Sequence, residues 1–110
     1  MIQIEGLWER VKANAEKAVE CKMIFHSPLN NAPYRIRWVK EKSIAIERLN
    51  GGKDEILTKK KTILAAKAFN THGARAPIRS IVSPTVAQET TFVLLCPDLS
   101  WNQREIVQIP

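Results

Sequence analysis

The chain is short of nearly everything that carries chemistry on its own. Its 110 residues hold two cysteines and two histidines. Cys21 and Cys96 stand far apart, with no CxxC pair and no cysteine–histidine cluster at metal-ligand spacing. That excludes the common zinc frameworks and gives no reason for a disulfide scaffold, so two reduced, buried cysteines in a cytoplasmic protein are expected. The longest apolar run, Phe92–Cys96, is far below the roughly 20 residues of a membrane-spanning helix. The opening Met1-Ile-Gln-Ile-Glu5 lacks the basic and apolar regions of a signal peptide. No internal repeat or low-complexity tract divides the chain, and one domain over 1–110 is expected.

Acidic residues are also missing, locally. No Asp or Glu occurs between Glu55 and Glu89. Residues 22–82 carry 13 Lys/Arg against 4 Asp/Glu, a local charge of +9. Residues 1–21 sum to −1 and residues 83–110 to −2, which leaves +6 overall. A segregated field of this kind attracts polyanions and speeds their encounter.

What is present reads as an ordinary α+β domain. The apolar fraction of 45% and charged fraction of 25% are globular values. Leu7, Val11, Ala15 and Ala18, with Trp8 and Val19 beside them, place an amphipathic helix over 4–20. Gly6 weakens its start, and Arg10, Lys12, Glu16 and Lys17 read as its solvated face. Residues 22–26 are a strand candidate, and 27–33 a loop rich in proline and asparagine. Tyr34–Val39 alternates, with Tyr34, Ile36 and Trp38 on a buried face and Arg35 and Arg37 on the polar one. Ser43–Leu49 completes a hairpin, Asn50-Gly51-Gly52 is a turn, and Glu55–Leu57 is a third strand. Thr58 is placed to cap a helix through Asn70, with Gly73 past its end and Ile63, Ala66 and Phe69 as its inward stripe, Leu64 beside it. Residues 71–82 read as loop. Ser83-Pro84 opens a helix over 84–96, against the strand propensity of Thr90–Leu95. The tail 97–110 reads as irregular, pinned by Trp101. The expected architecture is therefore an N-terminal helix, a small antiparallel sheet of about three strands within 22–57, and one or two helices packed on it.

Catalytic patterns do not emerge. His26 and His72 have no sequence partner, and a cysteine inside the run Phe92–Cys96 is ordinarily buried and inert. Asp54-Glu55 are neighbours that point to opposite faces of a strand, so they make poor co-ligands. Gly51-Gly52-Lys53 lacks both the spacing and the following Ser/Thr of a phosphate loop. No catalytic residue, metal or cofactor is assigned, and the chain is read as a non-enzyme.

The basic residues remain. Arg35 and Arg37 share a strand face, Lys59, Lys60 and Lys61 open the second helix, and Arg75 and Arg79 lie in the loop after it. Guanidinium forks and lysine point charges both suit phosphate, while no recognition-helix pattern is present to read bases. These seven are the candidate contacts to nucleic acid, DNA ahead of RNA. The rival reading is a protein-interaction module, an accessory subunit or inhibitor, whose basic face meets an acidic partner. An exposed Trp8, Trp38 or Trp101 favours the protein partner; exposed arginines without an exposed aromatic favour nucleic acid. Tyr34 and Trp38 are read as core rather than as base-stacking platforms.

Residues 25–101 also carry a family likeness. Phe25, then Pro33-Tyr34 opening a strand, Val39, Ser43-Ile44-Ala45-Ile46 with Arg48, Asn50-Gly51-Gly52, Leu57-Thr58, a helix with Ala65-Ala66, and Pro97 follow in order. The series resembles a small α+β module at the front of some bacterial restriction-type proteins, ahead of nuclease or nucleotide-hydrolysing domains. The resemblance implies a DNA-related or defence-related binding role and transfers no catalytic residue.

Overall fold

A computed structural model describes residues 1–27, 31–51, 54–78, 92–93, 95–101 and 104–109. Helix α1 (Leu7–Glu20) begins three residues later than its apolar spacing suggests, because Gly6 takes a left-handed φ of 72° as its N-cap. Leu7, Trp8, Val11, Ala15 and Ala18 form its buried stripe. The helix ends in a reverse turn in which Met23 N–H reaches Ala18 O at 2.9 Å and Lys22 N–H reaches Val19 O at 3.2 Å. This closure consumes Lys22–Ile24, so β1 shrinks to Phe25–His26. Cys21 is the helix cap and lies off the inward stripe, hence it is exposed, contrary to the expectation that both cysteines are buried.

Strands β1, β2 (Pro33–Val39), β3 (Ser43–Arg48) and β4 (Glu55–Thr58) form an antiparallel sheet in sequential order. The alternation in β2 does not run through to its end. Ile36 pairs with Ile46, but Trp38 pairs with Ala45 and Val39 with Ile44, so a bulge absorbs one residue between Ile36 and Trp38. Tyr34, Ile36 and Val39 therefore share the core face with Ile44, Ile46 and Leu57, and Trp38 moves to the outer face beside Arg35 and Arg37. The physical reason is the slip itself, which turns every side chain beyond the bulge to the opposite face. Trp8 fills the core instead, where its Nε1–H donates to Glu41 O at 2.6 Å.

Helix α2 (Lys59–Asn70) opens where the Thr58 hydroxyl accepts from Lys61 N–H at 3.2 Å. Its buried stripe is Thr62, Ala65, Ala66 and Phe69: Ala66 and Phe69 are as expected, and Thr62 takes the place of Ile63. Thr62 can enter the core because its hydroxyl donates to Thr58 O at 2.9 Å. Ile63 is consequently half-exposed and Leu64 exposed.

The segment read as loop and the tail read as irregular build a second, three-stranded sheet, ordered β5 (Arg75–Pro77), β7 (Glu105–Gln108), β6 (Leu99–Trp101). Each strand contributes a single buried residue, Ala76, Ile106 or Leu99, so none is long enough to show a period of two. Of the helix expected over 84–96, residues 84–91 lie outside the described residues. Phe92, Val93 and Leu95 are helical, and Cys96 N–H donates to Phe92 O at 2.8 Å. One buried cluster joins α1, the first sheet, α2, the Phe92–Cys96 turn and the second sheet. The architecture is α+β.

Candidate functional site

The candidate residues divide into two electrostatic groups. The arginines have partners. Arg35 clamps Glu47 through Nε at 3.0 Å and Nη2 at 2.9 Å, and Arg37 meets Asp54 at 3.1 Å with Glu47 at 3.8 Å. The cross-strand pairing of Arg35 with Glu47 sets the first contact directly. Two arginines thus face two carboxylates, and the lower part of the outer sheet face is close to neutral. Arg75 behaves the same way, with Nη1 2.7 Å from Glu105 across the β5–β7 ladder. All three are exposed, as their strand positions require, but their charge is largely cancelled locally. Arg79 lies outside the described residues.

Lysines make the other group. Lys59 and Lys60 open α2, and the β2–β3 turn brings Lys42 against them: Lys59 N–H donates to Lys42 O at 3.2 Å. The turn is further held by the Trp8–Glu41 contact from α1. Lys42, Lys59, Lys60 and Lys67 surround an open groove of about 680 Å³ floored by Ile63 and Leu64, with Thr58 at its end and no carboxylate among the described lining residues. Lys61 is exposed on the same first turn. Sequence spacing finds Lys59–Lys61 and sets Lys42 beside the hairpin turn without joining it to them, and it misses Lys67. Lys67 is two turns along α2, and Lys42 joins only through the tertiary contact between turn and helix.

Trp8 is buried, while Trp38 and Trp101 are half-buried. Lys40 Nζ sits 4.4 Å from the Trp38 ring centroid. On the core face, Arg48 lies 5.9 Å from the Tyr34 ring. Burial, and secondarily the Glu55 carboxylate, raises the Tyr34 hydroxyl pKa against the opposing pull of Arg48.

Residues with catalytic potential are dispersed. His26 in β1 and His72 after α2 are both exposed. Burial pushes the Cys96 thiol up to about 12, outweighing the backbone N–H of Asp98, so at neutral pH it is a packing residue and not a thiolate. No three His, Cys, Asp or Glu side chains converge as a metal cage among the described residues. No described helix is long and apolar enough to cross a membrane. No family model, curated protein or solved structure matches the chain.

Proposed function

We propose that this chain is a non-catalytic nucleic-acid-binding module that holds the phosphate backbone through lysines at the start of α2. The observation that carries the reading is the convergence of Lys42, Lys59, Lys60 and Lys67 around one groove without a described carboxylate. The arginine candidates support it less, because Glu47, Asp54 and Glu105 already meet them. Lysine ammonium groups act as point charges on phosphate and do not read bases, so binding is sequence-tolerant. The resemblance to front modules of restriction-type proteins fits DNA as the target and a role in restriction or defence.

The test is a titration of the whole chain with DNA and RNA oligonucleotides across salt. Log affinity should fall with log salt at a slope of about −0.9 per duplex phosphate neutralised, or about −0.7 per single-strand phosphate. Lys59→Glu with Lys60→Glu should weaken binding and flatten that slope by about two contacts. Arg35→Glu with Arg37→Glu should weaken it less, and the control Lys17→Glu on α1 should leave it unchanged. No binding at micromolar protein in low salt, or binding indifferent to Lys59 and Lys60, overturns the reading.

A protein partner is the second reading, and the groove floor favours it. Leu64 is 55% exposed beside half-exposed Ile63, so an acidic segment with an aliphatic anchor could lay that anchor between the lysines. Competition by an acidic peptide that oligonucleotides do not match would establish it.

A further inference from the structure

Resting on the nucleic-acid reading, we infer that the ligand is single-stranded and that Trp38 is its base-stacking platform. The bulge in β2 carries the argument. Without it, the alternation of Tyr34, Ile36 and Trp38 would bury the indole; with it, Trp38 stands on the outer face opposite Ala45, which in turn pairs with Ile56 on β4. Ile56 is 39% exposed and Arg35 is exposed, so this face of the sheet is open to solvent, whereas α1 packs on the other.

The face is graded. At one end the β2–β3 turn presents Lys40 and Lys42 and leads into the lysine groove. In the middle lie Trp38, Ala45 and Ile56, and at the other end are the Arg35–Glu47 and Arg37–Asp54 pairs. Lys40, in the same turn as Lys42, reaches the Trp38 ring at 4.4 Å and so links the indole to the turn that borders the groove. Duplex bases are stacked on one another and offer no face to a side chain, whereas every unpaired base does.

Lys40 is the second element of the site. Its ammonium lies over the indole, an arrangement that protects the ring in the free protein. A base that takes the ring face displaces that ammonium towards the phosphate of the same nucleotide. One movement then exchanges a cation–π contact for a stack and a phosphate contact.

The experiment compares a thymidine oligomer of about 12 nucleotides with a duplex of equal length, by fluorescence anisotropy at low salt. The wild-type chain should prefer the single strand. Trp38→Leu keeps the apolar cover over Ala45 but removes the π face, and should lower single-strand affinity about tenfold while leaving duplex affinity within about twofold. Trp38→Phe should retain most of the single-strand affinity, which separates stacking from a folding defect. Equal affinity for both ligands, or a Trp38→Leu variant that binds the single strand as the wild type does, overturns the inference while leaving the lysine reading intact. No binding of either oligonucleotide at micromolar protein in low salt overturns both.

Discussion

At the residue scale, two side chains hold positions that a stability measurement can read directly. Lys22 closes α1 with a φ of 53°, in the left-handed region where an L-residue is strained. Lys22→Gly should remove that strain, offset in part by the greater freedom of glycine in the unfolded chain. The expected net gain is about 0.5–1 kcal/mol, measured by urea denaturation. Cys96 is the other. Its thiol ionises only near pH 12 in the fold but near pH 9 in the unfolded chain. The neutral form favours the folded state, so this contribution is complete below pH 9 and is lost progressively as pH rises towards 12. The wild type should therefore lose stability over that window more steeply than Cys96→Ala. At pH 8, a thiol reagent should label exposed Cys21 and spare Cys96 until the chain unfolds.

At the scale of the element, α2 sets binding against stability. Its first turn holds Lys59, Lys60 and Lys61 and no acidic residue, against the preference of a helix dipole for anions at that end. Lys59→Glu with Lys60→Glu should stabilise the fold by about 0.3–1 kcal/mol per position, seen as a higher thermal midpoint, while it weakens oligonucleotide binding. A change that stabilises and inactivates together marks a functional cluster, because a merely solvated turn gains stability at no functional cost. Thr58→Ala should act oppositely. Loss of the hydroxyl that accepts from Lys61 N–H should cost about 1 kcal/mol and lower the midpoint. Thr58 was legible as a cap from its position before the helix, and so was Gly73, whose φ of 86° follows the helix end. Of the inward stripe, Ala66 and Phe69 were legible and Thr62 was not. The choice between Ile63 and Thr62 depends on a back-bond to Thr58 O, which lets a polar residue be buried at little cost.

Across the whole molecule, the chain ends are tied to the centre. Arg10, which the helix pattern reads as a solvated residue, donates to Gln3 O, Glu5 O and Asp98, and so fastens the N-terminal segment and the entry to β6 onto α1. Asn70 exchanges hydrogen bonds with the backbone of Ile2, and Gln108 Nε2–H donates to Met1 O. Ile106, fully buried in β7, belongs to the same cluster as Leu7 and Phe69. Ile106→Ala should cost about 2–5 kcal/mol. Thermal unfolding should keep a single transition seen alike by far-ultraviolet circular dichroism and by tryptophan fluorescence. Two separated transitions would mean that the second sheet is a unit of its own.

The first helix, the β2–β3 hairpin, the third paired strand and the capped second helix were determined by the sequence itself, because each rests on local rules: a period of 3.6 or 2, a cap, a turn. The central positive charge was equally plain from composition. Tertiary structure alone decided which cations are paired with carboxylates. Arg35, Arg37 and Arg75 meet carboxylates across strand ladders, and Lys42 joins Lys59 and Lys60 through a turn–helix contact. It also decided the side of the sheet on which Trp38 stands, since one residue of slip moves every following side chain to the opposite face. β4 is as short but follows its partner β3 across a marked turn, whereas β5 pairs with β7 about 30 residues on, so no local pattern announces the second sheet.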